Sequence, residues 1–333
     1  MIEQSPTLID KFGREINYAR ISITDRCDFR CVYCMSEDMK FEPRNELLSL
    51  EEILQIGTSL SELGVRKLRI TGGEPLVRRN VMWLFERLGQ LPNIRDLTIT
   101  TNGSQLSKMA KGLAASGVTR INVSLDSLQA DRFKAITRIG DLGKVVDGIH
   151  AAVKAGFKRV KINAVIMKGR NDDEIIDLVE FSRDCGVDIC FIEEMPLGLT
   201  SNHDRHEAYC SSDEVRRKIE QRYKLIATTE NTGGPSRYYR MVDSDTRIGF
   251  ISPHSHNFCD SCNRVRITAK GLMLLCLGQE HSVDLRQVMR ESNNDPQSLS
   301  AAIRRGIEIK PKGHDFDLSE QPIIMRHMSV TGG

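Results

Sequence analysis

The chain has 333 residues, of which 40% are hydrophobic and 28% are charged, and its formal net charge is +2. This composition is typical of a globular protein with a sizeable core, and the near balance of charge argues against a nucleic-acid partner. No apolar run approaches the roughly 20 residues of a membrane span, and the first residues lack the pattern of a signal peptide. We therefore expect no membrane partner and a cytoplasmic location.

Short β-like runs alternate with amphipathic helical stretches over the first part of the chain. Strands are predicted at 19–24, 67–71, 96–100, 120–125, 159–166 and 190–195. Helices are predicted at 51–63, 80–91, 105–116, 142–156 and 172–186, the first of them opened by a capping box of Ser49 and Glu52. Repeated β–α units imply a parallel sheet, and six units are too few for the closed eight-stranded barrel. We predict an α/β fold with a partial (βα)6 TIM-like barrel, and an open doubly wound sheet is the alternative.

The β–α rhythm ends near Pro196 and divides the chain into three parts. We predict a lead-in over 1–17, a barrel over 18–198 and a smaller C-terminal α+β region over 199–333. The C-terminal region contains a polar, His-rich segment at 202–209 and a predicted helix at 213–223. Its last two residues, Gly332 and Gly333, are expected to be mobile.

The chain has nine cysteines, and an odd number in a reducing compartment favours metal binding or catalysis over a disulfide framework. Cys27, Cys31 and Cys34 follow the first predicted strand, at the carboxyl end where a barrel carries its chemistry. Three thiolates leave one iron of a four-iron cluster without a protein ligand, so a small molecule can bind that iron. This interpretation is favoured over zinc, because structural zinc usually has four protein ligands and shorter spacings.

A second group of cysteines, Cys259, Cys262 and Cys276, lies in the C-terminal region. Its spacing leaves zinc and an iron–sulfur cluster equally open, because a CxxC pair is common in zinc sites. The candidate fourth ligands for zinc are His254, His256 and His281.

A strand is predicted directly after this CxxC pair. Residues two apart on a strand face the same side, so Arg264 and Arg266 project together beside the cysteines. Two guanidinium groups in this arrangement suit an anion such as phosphate. A solvated basic edge strand is the alternative.

Two motifs resemble those of the radical S-adenosylmethionine superfamily: Cys-Asp-Phe-Arg-Cys-Val-Tyr-Cys at 27–34 and Thr-Gly-Gly-Glu-Pro at 71–75. The resemblance implies a 4Fe–4S cluster on the first three cysteines, whose open iron is chelated by S-adenosylmethionine. It also implies reductive cleavage of S-adenosylmethionine to a 5′-deoxyadenosyl radical. The positions that match contacts to S-adenosylmethionine are Tyr33, beside the adenine, Gly73, Ser124 and Met195.

With the second cysteine group included, nearly the whole chain resembles the GTP 3′,8-cyclase family. The resemblance implies a second 4Fe–4S cluster on Cys259, Cys262 and Cys276 that contacts the guanine of GTP. The positions that match GTP contacts are Arg20, Arg69, Thr100, Lys161, Arg264, Val265 and Arg266.

The reaction that this resemblance implies is the first step of molybdenum cofactor biosynthesis. The radical takes a hydrogen atom from ribose C3′, and C3′ then attacks guanine C8 to give (8S)-3′,8-cyclo-7,8-dihydroguanosine 5′-triphosphate. No side chain need act as an acid or a base, because the cofactor makes the radical. The likeness further implies a homodimer, a reducing electron donor, a tail that enters the active site, and delivery of the product to cyclic pyranopterin monophosphate synthase.

Three cations interrupt strands that should be almost wholly apolar, namely Arg20, Arg69 and Lys161. For each cation taken alone, an internal salt bridge is the favoured interpretation. Together with Arg264 and Arg266, however, they favour a nucleoside triphosphate as a common ligand.

Two other functions are open at this stage. A two-cluster radical enzyme that acts on a peptide would be expected to carry a longer C-terminal cysteine array than the three residues found. A zinc-stabilised binding module would be expected to show a strongly basic face, which the near-neutral charge does not favour.

Overall fold

The computed structural model describes residues 7–198, 203–314, 316 and 324–332. Within these ranges the strands are β1 Tyr18–Ser22, β2 Lys67–Thr71, β3 Asp96–Thr101, β4 Val118–Ser124, β5 Arg159–Val165, β6 Asp188–Ile192, β7 Leu225–Ala227, β8 Arg237–Met241, β9 Ser244–Ile251, β10 Arg264–Ile267, β11 Leu272–Leu274 and β12 Ser282–Asp284. The helices are α1 Leu50–Glu62, α2 Val81–Gly89, α3 Leu106–Ala115, α4 Ala130–Thr137, α5 Leu142–Lys154, α6 Ile175–Asp184, α7 Arg205–Ala208, α8 Ser212–Glu220, α9 Leu285–Glu291, α10 Pro296–Glu308 and α11 Met328–Thr331.

All these strands join one sheet in the order β12-β11-β10-β1-β2-β3-β4-β5-β6-β9-β8-β7. The run from β10 to β9 is parallel, and antiparallel hairpins extend both of its ends. The six predicted strands are confirmed as β1–β6, and the predicted partial barrel is confirmed with them. The sequence did not predict that β9 pairs with β6 and β10 with β1, so the sheet runs across the predicted boundary at 198.

Helix α1 shows how local signals and packing agree in this fold. The Ser49 Oγ accepts a hydrogen bond from the Glu52 N–H at 3.1 Å, and the Glu52 carboxylate accepts one from the Ser49 N–H at 2.7 Å. This confirms the predicted capping box, which satisfies two N–H groups at the helix start. The helix then buries Ile53, Ile56 and Leu60 in the core outside the sheet.

The alternation of side chains along β2 separates the core from the barrel interior. Leu68 and Ile70 belong to the hydrophobic core, whereas Arg69 and Thr71 line the cavities inside the sheet. Successive strand residues point to opposite faces, so the polar positions mark the inner face of the barrel. Within the described residues, no helix has the length and apolarity that a membrane crossing requires.

A buried ion pair ties β9 to its neighbour β6. Arg247 on β9 contacts Asp188 on β6, with its Nε 3.2 Å from each carboxylate oxygen, and both side chains are buried. The Arg247 backbone N–H also donates to the same carboxylate at 3.2 Å. This pair fixes the attachment of the C-terminal strands to the barrel.

We expect Asp188→Ala to destabilise the cluster-free chain by about 3 kcal/mol, because the buried Arg247 guanidinium would keep only Glu230, 2.7 Å away, as a carboxylate partner among the described residues. The measurement is the free energy of unfolding in urea, followed by circular dichroism. Asp243→Ala is the control, since Asp243 pairs with Arg183 at 2.8 Å on the surface, and we expect no measurable change. Equal stability of the two variants would contradict the role of the buried pair.

Candidate active site

Two connected cavities occupy the inside of the sheet. We call them the cysteine cavity, of about 1170 Å³ including its mouth, and the cation cavity, of about 1090 Å³. The cysteine cavity lies at the carboxyl ends of the strands, and the cation cavity extends from there into the barrel. The residues that line both cavities are Thr100, Asn163, Ile192, Met195 and Met328.

The loop after β1 brings the first three cysteines to the cysteine cavity. Cys27 Sγ accepts a hydrogen bond from the Phe29 N–H at 3.3 Å, and the Cys34 N–H donates to the Cys31 carbonyl at 3.0 Å. Burial raises the pKa of all three thiols, to about 12 for Cys34. Binding of a metal cluster would therefore have to displace three protons from these sulfurs.

The glycine pair at 72–73 is pressed against this loop. The Gly73 N–H donates to the Thr24 carbonyl at 2.7 Å, and a Cβ on Gly73 would lie 2.6 Å from the carbonyl carbon of Arg26. The neighbouring Glu74 accepts hydrogen bonds from the Leu76 N–H, the Asn102 N–H and the Thr101 hydroxyl at 2.6–2.9 Å. Only a residue without a side chain fits at 73, and Gly73 lines the cavity there.

The ring of Tyr33 is held by a carboxylate that the sequence did not single out. The Tyr33 hydroxyl donates to Asp126 Oδ2 at 2.8 Å, and the Val165 N–H donates to Asp126 Oδ1 at 2.8 Å. Burial raises the pKa of Asp126 to about 6. The pair fixes one wall of the cysteine cavity, which Ser124 also lines.

The register of the parallel strands sets three arginines side by side in the cation cavity. Arg20 on β1 is directly paired with Arg69 on β2 and with Arg266 on β10. Two residues earlier on the same face of β1, Tyr18 is paired with Lys67 and with Arg264. Lys161 on β5 lines the same cavity from the opposite side.

Within the described residues, none of the five predicted phosphate-binding cations forms an ion pair with a carboxylate. Arg20 donates to the Tyr18 hydroxyl at 3.0 Å, Arg69 to Thr98 Oγ1 at 3.2 Å and Lys161 to the Tyr238 hydroxyl at 3.3 Å. The internal salt bridges favoured for these three residues taken singly are therefore wrong for this part of the chain. Asp96 on the neighbouring strand β3 does not serve as their partner, because its carboxylate forms ion pairs with Lys67 and Arg120.

The crowding of positive charge changes the acidity of the groups around it. Burial lowers the pKa of Arg69, Arg264 and Arg266, and the charges of neighbouring arginines add to the effect. Burial, together with the charge of Arg69, lowers the pKa of Lys67 to about 6. Such a site is poised to take up an anion, since each of these cations gains from a negative partner.

The second cysteine group closes the other end of the cation cavity. Cys259, Cys262 and Cys276 all line it. Burial raises the pKa of Cys276, whereas in Cys262 the charges of Arg264 and Lys310 outweigh burial and lower the pKa. Three partly buried thiols beside fixed positive charge suit the thiolate ligands of a cluster.

The three histidines considered as fourth zinc ligands do not line this cavity. His254 is engaged with the Glu194 carbonyl at 2.9 Å, His256 with Asp213 at 2.9 Å, and His281 is exposed. In the described structure these three histidines therefore give no support to the zinc alternative. Within the described ranges, no three His, Cys, Asp or Glu side chains are arranged to hold a single metal ion.

The last described residue, Gly332, is buried against the inner face of the sheet. Arg266 donates a hydrogen bond to the Gly332 carbonyl, and a Cβ on Gly332 would lie 2.9 Å from Thr71 Cβ. Gly332 has a φ of 78°, which favours glycine. The described part of this end is thus packed and buried, although the sequence led us to expect a mobile end, and Gly333 lies outside the described residues.

The structure brings every predicted site residue to one of the two cavities. Tyr33, Gly73, Ser124 and Met195 line the cysteine cavity, and the seven predicted GTP positions line the cation cavity: Arg20, Arg69, Thr100, Lys161, Arg264, Val265 and Arg266. Sequence reasoning missed Tyr18, Asn122 and Asn163, which line the cation cavity as well. Their signal was available, since each lies two residues from another inward-facing position on its strand.

Comparison with known proteins gives a consistent result along the chain. The Radical SAM superfamily profile matches residues 21–182, and the Molybdenum Cofactor Synthesis C profile matches residues 187–316. The GTP 3′,8-cyclase of Pseudomonas putida is 54% identical over 334 residues and that of Marinobacter nauticus 56% over 326, covering 100% and 98% of both chains. The fold is similar to that of Streptococcus suis SuiB bound to S-adenosylmethionine, with a TM-score of 0.61, 18% identity and coverage of 96% of this chain and 79% of SuiB.

We expect Gly73→Ala to destabilise the chain by about 1–3 kcal/mol, because the new methyl group would collide with the backbone of Arg26. Thermal unfolding of the cluster-free chain measures the effect. The control is Gly143→Ala in α5, where a Cβ would approach nothing closer than the Asp141 carboxylate at 3.4 Å. An unchanged melting temperature for Gly73→Ala would show that the two loops are not tightly packed.

Proposed function

The chain belongs to the GTP 3′,8-cyclase family, and from this premise we propose that it converts GTP to (8S)-3′,8-cyclo-7,8-dihydroguanosine 5′-triphosphate, the first step of molybdenum cofactor biosynthesis. It is a radical S-adenosylmethionine enzyme with an iron–sulfur cluster. The observation that carries the substrate assignment is the group of five cations without carboxylate partners in the described cation cavity. Neither a peptide substrate nor a zinc-stabilised binding module is favoured.

The triphosphate of GTP would supply the negative charge that this cavity lacks. Arg20, Arg69 and Arg266 form a row on adjacent strands, and Lys161 faces them across the cavity. Desolvated cations without partners are costly, so an anion that meets several of them at once is held strongly. We assign the row and Lys161 to the phosphates, with Thr100, Arg264 and Val265 as further contacts to GTP.

We assign the cysteine cavity to the radical-forming cofactor. Cys27, Cys31 and Cys34 would hold the 4Fe–4S cluster, which with S-adenosylmethionine supplies a 5′-deoxyadenosyl radical when both are bound. The Gly73 backbone lines this cavity and would contact the methionine part, and Tyr33, braced by Asp126, would lie against the adenine. Ser124 and Met195 line the remaining wall.

We further propose a second 4Fe–4S cluster, the auxiliary cluster, on Cys259, Cys262 and Cys276. These cysteines line the same cavity as the phosphate-binding cations, which supports a place for the guanine at this end. GTP would then span the cavity, with its ribose near the residues shared with the cysteine cavity.

In this arrangement the protein orients the substrate and excludes water, and none of its side chains need act as an acid or a base. The hydrogen atom of ribose C3′ would be transferred to the 5′-deoxyadenosyl radical, and C3′ would bond to guanine C8. The resulting substrate radical would take one electron from the reductant and one proton to complete the product. The continuous wall of Thr100, Asn163 and Met195 would keep the radical source and C3′ in one enclosure. A cytoplasmic location, a homodimer, the electron donor and delivery to cyclic pyranopterin monophosphate synthase stay predictions.

The test of the function is an anaerobic assay of the iron- and sulfide-reconstituted chain with S-adenosylmethionine and dithionite. We expect 5′-deoxyadenosine only when GTP is present, together with a new isomer of GTP, both detected by chromatography. Cys27→Ser is the control and should form neither. Equal 5′-deoxyadenosine with and without GTP would retain the radical chemistry and reject GTP as the substrate.

We expect Arg266→Ala to weaken GTP binding by about 10- to 100-fold, because it removes one buried charge from the phosphate site. Equilibrium binding of GTP to the reconstituted chain measures this, and both clusters should be retained. Arg290→Ala is the matched control, since Arg290 pairs with Glu52 on the surface at 2.9 Å. Normal GTP binding by Arg266→Ala would show that the triphosphate assignment is wrong.

A further inference from the structure

Lys310 is a buried cation that the proposed reaction does not use. It follows α10, and its side chain is 1% exposed. Its Nζ donates a hydrogen bond to the Leu275 carbonyl, and in the described part of the chain it forms no ion pair with a carboxylate. A buried ammonium group with one neutral partner is costly, so the position requires an anion nearby.

The segment that begins at Lys310 runs along the second cysteine group. Leu275, which accepts its hydrogen bond, directly precedes Cys276. Farther along the segment, Cys276 Sγ lies 3.8 Å from the Gly313 carbonyl, and a Cβ on Gly313 would lie 3.4 Å from Cys259 Sγ. Burial raises the pKa of the Cys276 thiol, and the charge of Lys310 opposes that rise.

The other cations near these cysteines have separate partners or face the substrate. Arg14 contacts Asp10 at 2.6 Å and donates to the carbonyls of Cys259 and Lys312 at 2.8 and 2.7 Å. Arg264 lines the cation cavity, where GTP is proposed to bind. Lys310 lines neither of the two cavities, and its Nζ contacts the backbone carbonyl of Leu275, the residue before Cys276.

We propose that Lys310 is the internal counter-ion of the auxiliary cluster, where its ammonium group balances the negative charge of the three thiolates. The inference rests on the proposed function, which places a cluster on Cys259, Cys262 and Cys276. Each added electron makes a thiolate-ligated cluster more negative, so a fixed positive charge raises its reduction potential and helps to retain it. Lys310 would thus act on the cluster through its charge and would not contact the substrate.

The metal-free chain should show the opposite effect of the same charge. Without a cluster, the buried Lys310 ammonium keeps only the Leu275 carbonyl as its partner among the described residues. Replacing it by methionine, which is apolar and of similar length, should therefore leave the metal-free chain at least as stable as the wild type. The loaded chain should instead lose cluster retention.

The test compares Lys310→Met with Lys310→Arg, which keeps the charge, and with Lys312→Met, an exposed lysine two residues away. The reduction potential of the auxiliary cluster is measured by EPR-monitored titration in full-length chains whose first three cysteines are serine. Release of iron to a chelator and melting of the metal-free form are measured in chains with all cysteines present. We expect a more negative potential and faster iron release for Lys310→Met only, without a loss of metal-free stability.

An unchanged potential and unchanged iron release in Lys310→Met would overturn the inference. So would a Lys310→Arg variant that matches Lys310→Met, since packing and not charge would then matter. A metal-free Lys310→Met chain that melts well below the wild type would also overturn it, because Lys310 would then stabilise the fold itself. If the wild type binds only about four irons per chain, the chain holds one cluster and the proposal of an auxiliary cluster is wrong. This iron content is measured before any variant is made, so the two failures can be distinguished.

Discussion

Three arginines on adjacent strands of one sheet impose the constraint on which the other features of this molecule depend. Arg69, Arg20 and Arg266 are direct neighbours across β2, β1 and β10, and like charges at such positions repel. The described residues supply no carboxylate to relieve them, so this part of the sheet must be held by contacts elsewhere. The apolar layer between the helices and the outer face provides them, with buried residues such as Ile53, Leu68 and Ile99.

Tyr18 moderates this repulsion without neutralising it. Its hydroxyl accepts a hydrogen bond from Arg20, and Lys67, Arg20 and Arg69 lie 4.8–5.9 Å from its ring centre. Burial raises the pKa of this phenol, but the surrounding positive charges outweigh burial and bring the pKa well below its usual value. The Tyr18 ring attracts these cations without forming an ion pair with them. Their positive charge therefore stays available to a polyanion.

Local signals in the sequence account for the first six strands and for five of the six helices between them, whereas α4 was not predicted. The capping box at Ser49 and the interruption of an apolar strand by Arg69 are short-range features, and the sequence alone shows them. The pairing of β10 with β1 was not, because Arg20 and Arg266 are separated by most of the chain and no local pattern specifies their register. The cysteine groups were identified by spacing, whereas Tyr18 and Asn163 were missed because a single polar residue in a strand has many interpretations.

The fold also distributes positive charge among separate tasks. Arg14 forms an ion pair with Asp10 and donates to the Cys259 carbonyl, so it joins the N-terminal residues before β1 to the second cysteine group. The arginine row lines the cation cavity, where GTP is proposed to bind, and the buried Lys310 lies outside both cavities. β10 begins two residues after Cys262 and carries Arg264 and Arg266, so one short strand joins the second cysteine group to the arginine row. A shift of that strand would therefore move Arg264, Arg266 and the adjoining Cys262 together.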